Sequence, residues 1–159
     1  MPISVNSRAK TMLKKVLPPT YLLVAIILSL LLHFTFPVAT IVQNPLNLIG
    51  LFPLMVGVAL NLIADRDFKR NQTTVKPYEE SGTLLTEGVY RYSRHPMYLG
   101  FVLILLGISL FLGSISPNVI VIIFAILMEI VFIRVEEEML NETFQEEWRQ
   151  YKSKVRKWI

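Results

Sequence analysis

The sequence has no cysteine, which excludes disulfides, thiolate nucleophiles and cysteine-ligated metals and leaves the redox compartment open. Histidine is almost as scarce. His33 and His95 are the only two, so a histidine-built metal site is not expected and no metal ligand is assigned. Charge is missing over long stretches: residues 45–64 and 96–115 carry none. The short connectors at 41–44 and around Ser116 contain no lysine or arginine. No internal repeat or low-complexity segment stands out. The net charge of +4 is explained by where the basic residues fall, described below, and no nucleic-acid partner is expected.

What is abundant is apolar surface. Apolar residues make up 53% of the chain, and the mean hydropathy is +0.50. A soluble domain of 159 residues has too little interior to hide that much, whereas a bilayer acts as its solvent. A spanning helix needs about 20 predominantly apolar residues. Four segments qualify: 18–40, 45–64, 96–115 and 117–135, the last with Glu129 inside it and Arg134 at its end. The first run is too long for the apolar region of a signal peptide, and no small-x-small cleavage site follows it. Arg8, Lys10, Lys14 and Lys15 precede the first segment. Arg66, Lys69, Arg70, Lys76, Arg91 and Arg94 lie between the second and third, and Arg134 and the remaining basic residues close the fourth or follow it. All of them fall on one side of a four-span arrangement, which the positive-inside rule makes cytoplasmic. The expected fold is therefore an all-α polytopic membrane protein. It has four transmembrane helices in two tight hairpins plus a cytoplasmic amphipathic C-terminal helix. Residues 1–159 form a single membrane domain, with a cytoplasmic loop at 65–95, a cytoplasmic helix at 136–159 and both termini inside. Oligomeric state is not legible.

Two patterns refine this outline. Gly50, Gly57 and Ala64 share a heptad spacing, as do Gly100 and Gly107, and small residues so placed let membrane helices approach closely. In the tail, Leu140, Phe144, Trp148, Tyr151, Val155 and Trp158 recur at steps of four and three, the mark of an amphipathic helix. Such a helix either lies on the bilayer surface or packs on the loop and covers a site.

The densest chemistry lies in residues 88–100, where the loop enters the third span. Pro96 suits the first position of a helix, with His95 as its N-cap. The first-turn N–H groups have no intrahelical partner, and with the helix dipole they can receive a carboxylate or phosphate. Arg94 adds positive charge there. The competing reading is an interfacial belt in which Tyr and Arg anchor a helix end. A second cluster, Arg134-Val135-Glu136-Glu137-Glu138, stands where the fourth span leaves the membrane. Helical spacing puts Arg134 on the face of Glu137 and Glu138. The run is either a solvated face or a receiver for a cationic group or ribose hydroxyls. Glu129 lies inside the fourth span, where an ionisable group costs about 2.5–3.5 kcal/mol at mid-helix and less near an end. It is expected either to floor a site beneath the glutamates or to contact Asn61. His33, near the outer end of the first span, reads as an interhelical hydrogen bond.

The pattern Arg94-His95-Pro96-x-Tyr98-x-Gly100, followed by Glu136, Glu137 and Leu140, resembles the integral membrane methyltransferases. That group includes isoprenylcysteine carboxyl methyltransferase and the phospholipid N-methyltransferases. Thr73-Thr74-Val75 and Leu85-Thr86-x-Gly88 are similar to prokaryotic members, and the resemblance covers residues 61–159. Gln145 stands where the family has glycine, Trp148 stands for the first tyrosine of the tail motif, and Tyr151 is retained. The chain stops at Ile159, where relatives often continue, and this is expected to alter how the pocket closes.

The resemblance implies S-adenosylmethionine as methyl donor, bound at the cytoplasmic face of a prokaryotic cell membrane. His95, Tyr98, Gly100, Tyr90, Glu136 and Glu137 would bind it. Gly100 would let the donor approach the backbone. A carboxylate acceptor needs no base. For an ammonium acceptor, Glu129, Glu136 or His95 would take the proton, and Arg134 or Arg94 would hold an anionic one. The expected partners are membrane lipids and a lipophilic small-molecule or lipid substrate of unspecified identity. Two other readings remain: a membrane reductase using NADPH, whose relatives are longer, and a small membrane scaffold or transporter subunit, against which no polar stripe runs through the spans. The methyltransferase reading requires His95 and Glu137 to meet in space.

Overall fold

A computed structural model describes residues 17–71 and 83–159. Thr73-Thr74-Val75, Lys76 and the basic residues at positions 8–15 lie outside them. The described residues form helices and no strand beyond one isolated bridge, Thr40 to Ser114. Helix α1, Pro18–Thr35, begins with prolines in its first turn, where a missing N–H costs nothing. It ends five positions short of the expected residue 40. Phe36 precedes Pro37 and leaves the helical region, because a proline disfavours the α conformation of the residue before it. A 3-10 turn, Leu46–Gly50, leads into α2, Leu51–Arg70. Helix α2 runs past Ala64, so the start of the expected loop at 65–95 is helical. Helix α3, Pro96–Leu112, is capped by Gly113 at φ 79°, the left-handed position glycine occupies at helix ends. Helix α4, Ser116–Met128, passes through a π turn, Glu129–Ile133, into α5, Arg134–Lys154.

Three of these runs, Pro18–Thr35, Leu46–Arg70 and Ser116–Lys154, are long and apolar enough to cross a membrane, and Pro96–Leu112 is a shorter apolar helix. The chain is an integral membrane protein. The tail follows the last apolar helix directly, bending at a kink at Gln145 (φ 43°, ψ −102°), and residues 155–159 form a non-helical strap.

The expected pairing into two hairpins holds only for α3 and α4. Helix α2 packs along α3, α1 packs on α4 and α3, and α1 and α2 scarcely touch. The small residues explain this. A Cβ on Gly57 would stand 2.5 Å from the carbonyl of Gly100, and one on Gly107 would stand 2.6 Å from the carbonyl of Gly50. Bare backbone on both helices lets them close together. Helix α1 instead contributes Ala25 to a core with Leu105, Phe124, Met128, Phe132 and Ile133. At the end of the bundle where α3 begins, a second cluster joins Ala64 and Phe68 of α2, Tyr90, and the tail residues Leu140, Phe144, Trp148, Tyr151 and Val155. The apolar stripe of the tail therefore faces the protein, and Trp158 of the strap packs on the first core.

At the other end, His33 Nδ1 lies 2.8 Å from the hydroxyl of Ser114, so its partner is the connector between α3 and α4 and not another helix. Ser116 donates to the carbonyl of Phe36, and the N–H of Ile41 donates to Gly113 O at 2.8 Å.

Candidate active site

The site begins with a short 3-10 turn, Gly88–Arg91, which delivers residues 92–95 to the start of α3. His95 is the N-cap in non-helical backbone (φ −130°, ψ 59°), with Pro96 in the first turn. Its N–H donates to Ser93 Oγ at 3.2 Å, and Ser93 Oγ donates to the carbonyl of Lys157 at 3.2 Å. The N–H of Arg94 donates to the carbonyl of Arg156 at 3.1 Å. The C-terminal strap is thus laced to the residues just before α3.

The required meeting occurs. His95 is buried, with Nε2 3.4 Å from Glu137 Oε1 and Nδ1 3.8 Å from Glu136 Oε2. Only the Glu137 contact is within hydrogen-bond distance. Arg94 Nη2 lies 2.8 Å from Glu137 Oε1, and both side chains are about nine-tenths buried. The guanidinium sits 5.6 Å from the centroid of the Trp148 ring, within reach of a cation–π attraction. Lys152 Nζ and Lys157 Nζ stand 3.6 and 3.7 Å from Glu137 Oε2. Burial alone would raise the Glu137 carboxyl. The His95 hydrogen bond and the Arg94 charge, with His95 and Lys157 adding to them, outweigh it and bring the pKa down to about 2. Burial raises the hydroxyls of Tyr90 and Tyr151 well above the usual phenol range, so both stay protonated. Tyr151 donates to the carbonyl of Tyr90 at 2.7 Å. The Tyr98 ring stacks on Phe132 at 6.1 Å and lies 5.8 Å from His95.

Beside this network is a small, partly open cavity of ≈ 130 Å³, below the about 300–1,000 Å³ typical of small-molecule sites. Tyr90, Arg94, His95, Tyr98 and Glu136 supply its polar wall. Apolar walls come from Leu17 and Pro18 of the α1 end, Phe68 of α2, and Met97 and Phe101 of α3. Because α1 and α2 stand apart on either side of α3, the cavity lies at the gap between their ends.

Five residues expected in the site therefore line one cavity, and Glu137 stands directly behind Arg94 and His95. Three expectations need correction. Gly100 faces α2, where a Cβ would run into the Asn61 amide and come within 2.8 Å of Gly57 O, so its bareness serves helix packing. Glu129 does not line the cavity or bond Asn61, whose amide donates to Gly57 O at 2.9 Å. Arg134 is mostly exposed and pairs with Glu129 at 3.8 Å rather than with Glu137 or Glu138. The π turn brings residues five apart onto one face, and the sequence reading assumed spacings of three and four. Sequence reasoning missed Lys157, Ser93 and Phe68. No local signal marks Lys157 or Ser93, whose partners are 28 and 64 positions away.

Comparison with known proteins places the chain in a family. The chain is 43% identical over 84 residues to protein-S-isoprenylcysteine O-methyltransferase of Saccharomyces cerevisiae, 51% of this chain and 34% of the yeast protein. It is 43% identical over 63 residues to an uncharacterized protein of Haemophilus influenzae, 40% of this chain and all of that protein. The fold resembles a solved eukaryotic intramembrane Ras methyltransferase, isoprenylcysteine carboxyl methyltransferase, with a TM-score of 0.66 and 23% identity over 89% of this chain and 51% of that one. The chain thus spans about a third of the length of the yeast enzyme. A family profile described as phospholipid methyltransferase matches residues 46–147, through α2, α3, α4 and most of α5, and the chain belongs to that family.

Proposed function

We propose that the protein transfers a methyl group from S-adenosylmethionine to a lipophilic acceptor held in the membrane, at its cytoplasmic face. The reading rests chiefly on His95, at the start of α3, meeting Glu136 and Glu137 beyond the π turn, beside one cavity. Four apolar helices with every basic residue on one side favour four spans and a cytoplasmic site.

The residues fit such a donor. Glu136 lines the cavity and is about one-third exposed, so it is free to accept from an ammonium or from ribose hydroxyls. The start of α3 lines the cavity, and the positive end of its helix dipole favours a carboxylate there. Arg94 is committed to Glu137 and Trp148, so it keeps the local potential positive without leaving its place. When bound, the donor would supply an already activated methyl group on a sulfonium.

The chain's own contribution is then placement and exclusion of water. Holding two reactants in line is worth about 7–11 kcal/mol in favourable cases, and the rigid network around His95 suits that work. Leu17, Pro18, Phe68, Met97 and Phe101 give the cavity an apolar wall suited to a lipid chain arriving between α1 and α2. An amine acceptor must lose a proton, and His95 or Glu136, both on the cavity wall, can take it. A carboxylate acceptor needs no base. Glu129 is engaged by Lys157 at 2.7 Å and lies off the cavity, so it has no part in this step.

The test is calorimetric titration with S-adenosylhomocysteine, together with labelling of a native lipid extract by isotopic methyl donor and mass spectrometry of the product. His95→Ala and Glu136→Ala are expected to lose both binding and transfer. Undiminished affinity in both variants refutes the site.

A further inference from the structure

The C-terminal strap carries a charge that the proposed reaction does not use. Lys157 Nζ lies 2.7 Å from Glu129 Oε1 and 3.7 Å from Glu137 Oε2, so one ammonium joins carboxylates on either side of the π turn. Their alignment follows from that turn. Eight residues at 3.6 per turn would set Glu129 about 80° around the helix from Glu137. The wider π turn at Glu129–Ile133 takes up that excess, and a single side chain reaches both. Inserted turns of this kind are frequent at functional sites.

The two carboxylates are unequally provided for. Glu137 is also held by Arg94, His95 and Lys152. Glu129 has Lys157 as its close partner and Arg134 at 3.8 Å, and its Oε2 is buried with no partner among the described residues. Lys157 therefore matters most to Glu129, and through Glu129 it fixes the strap. The carbonyls of Arg156 and Lys157 receive the Arg94 N–H and the Ser93 hydroxyl, and that hydroxyl receives the His95 N–H. The chain of contacts runs from the π turn through Lys157 to the backbone of the two residues that face Glu137.

We propose that Lys157 is a positioning residue: by bridging Glu129 and Glu137 it pins the C-terminal strap, and the strap holds Arg94 and His95 in register with the carboxylates of α5. This rests on the methyl-transfer reading only for its kinetic consequence, since the clamp itself can be measured without any ligand.

Two readouts test it in the full-length protein in lipid nanodiscs. Hydrogen exchange by mass spectrometry follows the Arg94 amide, and steady-state assay gives KM for the methyl donor and kcat separately. In Lys157→Met the Arg94 amide is expected to exchange about tenfold faster, the factor that loss of a modest charge-assisted hydrogen bond produces. The donor KM should rise by a similar factor of about ten while kcat stays within about twofold. Lys157→Arg should restore both. Glu129→Gln, which keeps the shape of the side chain, should reproduce the Lys157→Met effects if that variant folds poorly, and combining the two should add little. Unchanged Arg94 exchange in both single variants overturns the proposal, even if methyl transfer is observed. Faster exchange with no methyl transfer by the wild-type protein would leave the clamp standing and remove the proposed reaction instead.

Discussion

Arg94 is the residue whose removal tests the site most severely. Its side chain is 6% exposed and its guanidinium lies 2.8 Å from Glu137 Oε1, with the Trp148 ring centroid 5.6 Å away. Arg94→Met keeps the length of the stem and removes the charge. Taking one partner from a buried ion pair costs about 3–5 kcal/mol, because the other charge is left buried. Glu137 retains His95, Lys152 and Lys157 at 3.4–3.7 Å, which sets the loss at the lower end. The lost cation–π contact adds about 0.5–2 kcal/mol. The expected destabilisation is about 3.5–5 kcal/mol. At about 2–4 °C per kcal/mol for a chain of this size, the midpoint of thermal unfolding in mild detergent should fall by about 7–20 °C. Removing the orphaned charge as well should recover part of it, so Arg94→Met/Glu137→Gln should lose less than the sum of the single variants. A loss below about 1 kcal/mol, or strict additivity in the double variant, would mean that Arg94 behaves as a surface charge and that the buried network is wrong.

Other consequences are as direct. The Glu137 carboxyl, lowered from 4.5 to about 2, contributes stability that is complete above pH 4.5 and lost as pH falls toward 2. Acid titration of unfolding should show that limb in the wild type and a limb at higher pH in Arg94→Met. Gln145 sits at φ 43° and ψ −102° inside α5, a conformation that costs a non-glycine residue about 1–3 kcal/mol. Gln145→Gly should therefore raise stability by about 1 kcal/mol after the added freedom of the unfolded chain is subtracted, read as a higher midpoint; a lower one would show that the kink is not strained. Gly57→Ala places a Cβ 2.5 Å from Gly100 O and 2.8 Å from the Ile104 nitrogen. Overpacking of about 1–3 kcal/mol should exceed the roughly 1 kcal/mol gain in helix propensity, and a variant more stable than wild type would refute the close packing of α2 on α3.

Much of the site was legible because its signals are local. Pro96 after His95 marks a helix start wherever it occurs, and the start of α3 lies there. Glu136 and Glu137 follow the last apolar run by composition alone, and the spacing of Trp148 and Tyr151 announces a buried face, which they have. Gly100 was legible as a small residue but not in its role, since a glycine in an apolar helix looks the same whether a ligand or another helix approaches it. Asn61 and Gly57 decide the matter. Gln145 was visible as a departure from the family's glycine. That the backbone there takes a positive φ, the condition under which the glycine would matter, is seen only in the folded tail.

By itself the sequence determined that the chain is helical, that it belongs in a bilayer, and that its candidate site residues gather beside the third and fourth apolar runs. Those properties follow from residue composition and short-range periodicity, which neighbouring residues set without help from the rest of the chain. Tertiary structure decided which helices touch, since the approach of α2 to α3 depends on bare backbone meeting bare backbone. It also decided which charges pair, because a single π turn shifts every later side chain around the helix and sends Arg134 to Glu129 while Lys157 reaches both Glu129 and Glu137. Partners so far apart along the chain are selected by distance in space, a quantity that residue order does not contain.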